Sequence, residues 1–314
     1  MPQTNCIIQD FTGVYAEQPF MQGLRKDAVQ SSAGPDAKIR WIDCSDIPGT
    51  DCYCDDEAVT AIRKQIASAG IKDASGIHFF DNGNYHYMSK IWTDMVQEPF
   101  SLVVFDHHPD MQAPRFGNIL SCGGWVKKVL DKNQFINNVV IIGVADHLVD
   151  EIRAELSQAG DADILDKVTF IRESEICETG TPMSFSRTST SFSRTTTSFS
   201  RTPTSFSRMR ESLRSPTESG MTEGRIYISI DKDALSPAYA ATNWDQGSLD
   251  IATLKEIIAN LAANHKIIGV DICGERARDF AGDEYHTVQE ADALNDRINR
   301  ELSDFLTSLA SSPT

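Results

Sequence analysis

Aspartate and histidine side chains follow an apolar run in the sequence SLVVFDHHPD, which ends at Asp110. The run Leu102–Phe105 is typical of a buried strand, and Pro109 favours the end of that strand because proline cannot donate to a sheet ladder. Side chains alternate along a strand, so Asp106 and His108 should share a face, and Asp110 can fold back towards them. Two carboxylates and an imidazole at the carboxyl end of a strand suit a divalent transition metal such as Mn²⁺.

Two other segments end in donors of the same kind. Gly224–Ile230 alternates like a strand and leads into Asp231 and Asp233, whose spacing again puts two carboxylates on one face. Gly76–Phe80 is typical of a short strand, and His86 lies beyond the glycine turn that follows. The candidate metal ligands are therefore His86, Asp106, His108, Asp110, Asp231 and Asp233. One metal ion rarely takes so many ligands of this kind, so the set predicts two ions that share bridging carboxylates.

These motifs resemble those of the ureohydrolase (arginase and agmatinase) family. Its members carry Gly-Gly-Asp-His-Ser, Asp-Ala-His-x-Asp and Ser-x-Asp-x-Asp segments, which appear here in the same order as NYHYMS, FDHHPDM and SIDKDALSP. The resemblance implies an α/β fold, a three-layer α/β/α sandwich with a mostly parallel sheet of about eight strands. It also implies a hydrolase with two Mn²⁺ ions per chain, which cleaves a C–N bond of a guanidino compound and releases urea or a similar product.

The resemblance further implies roles for single residues. Asp110 stands where the family has a bridging aspartate that binds metal and holds the attacking hydroxide. Glu275 comes one residue after the position of a family carboxylate that pairs with the substrate guanidinium, because Gly274 intervenes. Asn118 resembles the family asparagine that binds the carboxylate end of the substrate. We therefore expect Asp110 and Glu275 to be catalytic, and Asn118 and Glu275 to bind substrate.

Other positions that recognise arginine in the family are altered here. Cys122 stands near the place of a proton-shuttling histidine, and Ala145 replaces the arginine of an Ile-Gly-Leu-Arg-Asp segment. Leu148 falls where arginases use an aspartate for the α-amino group. The substrate is thus left open between arginine, agmatine and another guanidino or amidino compound.

Two alternative functions also stay open. Enzymes similar to histone deacetylases share the fold but hold one zinc ion with two aspartates and one histidine. The presence of His86 and Asp110 favours the two-metal site over that arrangement. A metal-binding family member without turnover is the other alternative, because the substrate loops are altered.

Composition limits the partners. The chain has 314 residues and a net charge of −16 at pH 7, which argues against nucleic acid as a partner. It shows neither a signal-peptide pattern nor an apolar stretch long enough to span a membrane, so we expect a cytoplasmic protein with no membrane partner. Its seven cysteines lack zinc-ribbon spacing and are expected to be reduced thiols. The expected partner is a small guanidino molecule, and a homo-oligomer is expected from the family.

Alternating strands and helices predict a parallel sheet covered on both faces, and the resemblance implies a single ureohydrolase-like domain over residues 1–314. Residues 182–224 depart from that pattern, because a Ser-Phe-Ser-Arg unit recurs there every seven residues. Each unit has one apolar residue, and serine and threonine are weak helix formers, which predicts a low-complexity, disordered insertion. The arginines that precede threonine by three residues would suit basophilic kinases, but a tolerated repeat expansion is the favoured explanation of the segment.

Overall fold

The strands of the protein are given by a computed structural model that describes residues 5–31, 37–114, 117–177 and 224–311. In chain order they are β1 (Cys6–Asp10), β2 (Ile39–Asp43), β3 (Tyr53–Cys54), β4 (Ile77–Phe79), β5 (Phe100–Phe105), β6 (Leu120–Ser121), β7 (Ile136–Val144), β8 (Val168–Arg172), β9 (Gly224–Asp231) and β10 (His265–Cys273). Eight of them form one sheet in the order β2-β1-β4-β10-β9-β5-β7-β8, and all neighbours in it run parallel. The predicted parallel sheet of about eight strands is confirmed.

Helices cover both faces of this sheet. They are α1 (Pro19–Ser31), α2 (Asp56–Ser68), α3 (Met88–Thr93), α4 (Trp125–Lys132), α5 (Asp146–Ala159), α6 (Glu173–Cys177), α7 (Ile251–Ala262) and α8 (Val288–Ser311). Buried side chains of α2, α3, α4 and α5 pack in one apolar cluster, and those of α1, α7 and α8 pack in another. The architecture is therefore the expected three-layer α/β/α sandwich.

Strand β5 shows why the sheet lies between two layers of helices. Its side chains alternate between the two clusters, with Leu102 and Val104 in one and Val103 and Phe105 in the other. All of them are fully buried. A strand that is apolar on both faces is stable only between two helical layers, so this sequence fixes β5 in the middle of the sheet.

The short strands β3 and β6 form a separate antiparallel ribbon, in which Tyr53 lies opposite Ser121. Two-residue strands are too short to produce a periodic pattern, which is why the sequence did not indicate them. The predicted insertion at 182–224 lies outside the described residues, except for Gly224, which begins β9. Among the described residues, no helix combines the length and the apolar character needed to cross a membrane.

Candidate metal centre

The candidate ligands follow three strands at the same edge of the sheet. Strands β4, β10, β9 and β5 are consecutive neighbours, and the segments after β4 and β5 and the end of β9 carry the donors. Because the strands are parallel, their carboxyl ends lie side by side, and this is where open α/β sheets place their ligands. The topology thus brings together residues that are far apart in sequence.

His86 is the centre of a first set of donors. Its Nδ1 lies 3.0 Å from Oδ2 of Asp110, 3.1 Å from Oδ2 of Asp106 and 3.5 Å from Oδ2 of Asp231. All four side chains are buried. One imidazole nitrogen therefore faces three carboxylates.

His108 is the centre of a second set. Its Nδ1 lies 3.0 Å from Oδ2 of Asp233 and 3.4 Å from Oδ1 of Asp106. Asp106 therefore contributes one oxygen to each set and lies between His86 and His108. The structure brings all six candidate ligands into these two adjoining sets.

The crowded carboxylates change the protonation of the centre. Burial, together with the charge of Asp233, raises the pKa of Asp231 to about 7. Burial alone would lower the pKa of both histidines, but the neighbouring aspartates raise it to about 12 for His108 and well above the usual value for His86. Without a metal ion, the centre thus holds protons that compensate part of its negative charge.

Several neighbours fix the orientation of these ligands. The Nε2 atom of His86 lies 2.9 Å from Oγ of Ser229, which leaves Nδ1 directed at the carboxylates. The indole Nε1 of Trp125 donates a 2.7 Å hydrogen bond to Oδ2 of Asp110. Asp110 itself has φ of +47°, a left-handed conformation that is uncommon for residues other than glycine. Uncommon backbone conformations of this kind concentrate at functional sites.

The donors fit divalent metal ions. Oδ2 of Asp106 is buried and accepts no hydrogen bond within the protein, although a buried carboxylate oxygen normally has a partner. It lies 3.1 Å from Nδ1 of His86, on the side where the other carboxylates of the first set converge. Carboxylate and imidazole groups are ligands that suit Mn²⁺ and other divalent transition ions.

Cys273 is a donor that the sequence did not indicate. It is the last residue of β10 and lies opposite Asp231 of β9 in the parallel register. A single cysteine at the end of an apolar strand has no ligand spacing, so only the pairing of the two strands reveals its position. Its Sγ lies 3.2 Å from Oδ2 of Asp231.

Glu275, which the sequence predicts to bind substrate and to act in catalysis, contacts other side chains inside the protein, and both roles stay predictions. Its carboxylate is 1 % exposed, forms an ion pair with Lys232, and accepts hydrogen bonds from Gln18 (2.8 Å) and Asn299 (2.7 Å). Both oxygens are therefore bound inside the protein. The preceding residue, Gly274, has φ of +91°, and a Cβ there would collide with Oδ1 of Asp231, so only glycine fits this close approach to the candidate ligand.

Asn118, the other expected substrate ligand, is an exposed residue. Its side-chain oxygen accepts a hydrogen bond from Nζ of Lys128, and its main-chain oxygen accepts another at 3.0 Å. The preceding residues 115 and 116 lie outside the described part of the chain. A role for Asn118 in substrate binding stays a prediction.

Known proteins with similar structures are ureohydrolases. The agmatine ureohydrolase of Thermoplasma volcanium has a TM-score of 0.56 at 16 % identity, covering 98 % of this chain and 90 % of that one. The proclavaminate amidinohydrolase of Streptomyces clavuligerus has a TM-score of 0.56 at 16 % identity, covering 98 % and 94 %. A formiminoglutamase variant of Trypanosoma cruzi with Mn²⁺ has a TM-score of 0.57 at 10 % identity, covering 99 % and 94 %.

These likenesses show that the chain has the α/β fold of the ureohydrolases, and the predicted resemblance is confirmed at that level. By sequence, an uncharacterized protein of Thermotoga maritima is 24 % identical over 270 residues, which is 85 % of this chain and 78 % of the relative. No protein-family model matches the chain.

Proposed function

We propose that this protein is a two-metal hydrolase that cleaves a C–N bond of a guanidino or amidino compound, with Mn²⁺ as the expected cofactor. The observation that carries the proposal is the position of Asp106, which contributes one oxygen to the donor set of His86 and the other to that of His108. A carboxylate shared in this way supports a pair of neighbouring cations rather than one. Two bound divalent ions would lower the pKa of a water molecule and so supply a hydroxide nucleophile near neutral pH.

The residues divide between two ions. His86, Asp110 and Asp231 would hold one ion, His108 and Asp233 would hold the other, and Asp106 would contact both. Four aspartates balance the charge of two divalent cations, so the loaded centre would be close to neutral in the buried setting that the structure describes. Asp110 is proposed to orient the nucleophile as well, since Trp125 fixes its carboxylate by donating to Oδ2.

The similar proteins support the substrate class. Their names refer to agmatine, to proclavaminate with an amidino group, and to formiminoglutamate. The words ureohydrolase and amidino hydrolase in two of these names point to hydrolysis of a guanidino or amidino group. We propose a small-molecule substrate of this class for a cytoplasmic enzyme, and the choice within the class stays open because Glu275 is bound internally.

A substrate panel tests the proposal. The full chain is freed of metal with a chelator, reloaded with Mn²⁺, and incubated with arginine, agmatine, formiminoglutamate and an acetyl-lysine peptide. Urea, ammonia and formamide are measured for the first three compounds, and acetate is measured for the peptide. We expect the wild type to turn over a guanidino or amidino compound. The variant Asp106→Asn should lose this activity, and the exposed surface control Glu151→Gln should keep it.

Two outcomes would overturn the proposal. Turnover of the acetyl-lysine peptide with one bound zinc ion would establish the deacetylase alternative. Bound metal without turnover of any compound in the panel would favour a metal-binding protein without activity.

A further inference from the structure

Cys273 adds a sulfur atom to the first donor set. His86, Asp231 and Cys273 each offer one possible ligand atom, and these three atoms lie within 4.8 Å of one another. The two groups that contain Asp106 meet the same distance limit. The thiol is 1 % exposed, and its Sγ is 3.2 Å from the same Asp231 oxygen that faces His86. Cys273 therefore meets this condition together with His86 and Asp231, while Asp106 and Asp110 meet it with His86 in a separate group.

A second observation indicates that an ion belongs beside this thiol. Asp106 Oδ2 is a buried oxygen that accepts no hydrogen bond, and it lies 3.1 Å from the His86 nitrogen that also faces Asp231. A buried carboxylate oxygen without a partner costs free energy unless a cation or another donor satisfies it. The unsatisfied oxygen thus lies beside the same His86 nitrogen as the Asp231 oxygen that the thiol contacts.

We propose that the thiolate of Cys273 is a ligand of the ion held by His86, Asp110 and Asp231, and that this position prefers a borderline-soft cation such as Zn²⁺ or Co²⁺ to Mn²⁺. The inference rests on the proposed two-metal site. Thiolate ligands select softer cations than carboxylates do, whereas the set around His108 contains only oxygen and nitrogen donors. Binding releases the thiol proton to solvent while the S–metal bond forms, so no oxidant or reductant is required.

Cys44 offers a matched control. It is as deeply buried as Cys273, and its Sγ also lies 3.2 Å from a side-chain oxygen, Oε1 of Gln65. That oxygen belongs to a neutral amide, and Cys44 is part of none of the donor sets found among the described residues. Any effect of losing a buried, hydrogen-bonded thiol in itself should therefore appear in Cys44→Ser too.

The test is a Co²⁺ titration of the chelator-treated full chain, kept reduced with a phosphine and without oxygen. Visible d–d bands report bound cobalt, and a near-ultraviolet charge-transfer band reports a thiolate on it. We expect both bands in the wild type and in Cys44→Ser. In Cys273→Ser the d–d bands should remain, while the charge-transfer band disappears.

Each other result is decisive. If d–d bands appear in the wild type without charge transfer, or if the charge transfer persists in Cys273→Ser, Cys273 is not a ligand and the two-metal site stands. If the wild type binds no cobalt at all, the two-metal site falls and the ligand assignment falls with it.

Two further measurements test whether Cys273 binds the metal without relying on the cobalt absorption bands. X-ray absorption of the cobalt-loaded wild type should contain a sulfur shell at about 2.3 Å, the usual metal–thiolate distance, and this needs no variant that folds. In competition between Zn²⁺ and Mn²⁺, the preference for Zn²⁺ should fall at least about tenfold in Cys273→Ser, since even outer partners of a metal site contribute roughly 10–100-fold. An absorption spectrum with only oxygen and nitrogen neighbours, or an unchanged preference, would overturn the proposal.

Discussion

The ammonium group of Lys232 and the carboxylate of Glu275 form an ion pair in which both side chains are almost completely buried. Lys232 lies between the metal-ligand candidates Asp231 and Asp233, and its Nζ also donates a 3.1 Å hydrogen bond to Oδ1 of Asn299. Successive side chains of this segment thus point in different directions, with the two aspartates towards the histidines and the lysine towards Glu275. The ion pair anchors the segment that carries both aspartates.

Replacing Glu275 with glutamine should destabilise the protein. The change leaves the charge of Lys232 buried without its counter-ion, and breaking a buried pair typically costs about 3–5 kcal/mol in the free energy of unfolding. Urea denaturation measures this loss. The double variant Lys232→Met, Glu275→Gln should regain most of it, because the unpaired charge is then gone. A single Glu275→Gln variant with wild-type stability and only a raised KM would instead support the substrate role that the sequence predicts.

Loss of the Ser229 hydroxyl should weaken metal binding. Ser229 Oγ is the partner of His86 Nε2 at 2.9 Å, and it lies 2.8 Å from Oγ of Ser89. Ser229→Ala therefore removes the group that fixes the imidazole, which typically costs roughly 10–100-fold in metal affinity. Ser89→Ala is the control one step further from the imidazole, and it should cost less. Isothermal titration with Mn²⁺ compares the variants, and equal affinities for Ser229→Ala and the wild type would exclude the orienting role.

The apolar strands and the order of the motifs made much of this centre predictable. Runs such as Leu102–Phe105 and Gly224–Ile230 are recognisable as buried strands, and donors that directly follow parallel strands meet at one edge of the sheet. Cys273 was not predictable, because its proximity to Asp231 comes from the pairing of β9 with β10 rather than from spacing along the chain. The ion pair of Glu275 was not predictable either, since its partner Lys232 lies 43 residues away in the sequence.

Variants of the shared and unshared aspartates should differ in metal content. Asp106 takes part in both donor sets, whereas Asp233 belongs to the set of His108. Asp106→Asn should therefore lose both ions, while Asp233→Asn should keep the ion held by His86, Asp110 and Asp231. Metal analysis after dialysis against a fixed concentration of Mn²⁺ gives the stoichiometry. Equal losses in both variants would indicate that the two sets do not bind independently.

The stabilisation by metal should grow with pH. In the metal-free protein the pKa of Asp231 is raised from 3.8 to about 7 and that of His108 from 6.5 to about 12. A raised pKa in the folded state contributes stability that is complete below the unfolded value and is lost as pH rises through the folded value. Both groups therefore make the metal-free protein less stable as pH rises, Asp231 between about 4 and 7 and His108 above about 6.5.

Metal ions must displace these protons, so the gain in Tm from Mn²⁺ should increase between about pH 6 and pH 8. Thermal unfolding in the presence of Mn²⁺ or of a chelator, over this range, measures the difference directly. Asp231→Asn cannot release a proton at that position and should give a smaller gain that varies less with pH, whereas the exposed control Glu151→Gln should follow the wild type. A gain in Tm that is constant over this range would show that metal binding is not linked to the protons of Asp231 and His108, and would argue against these residues as ligands.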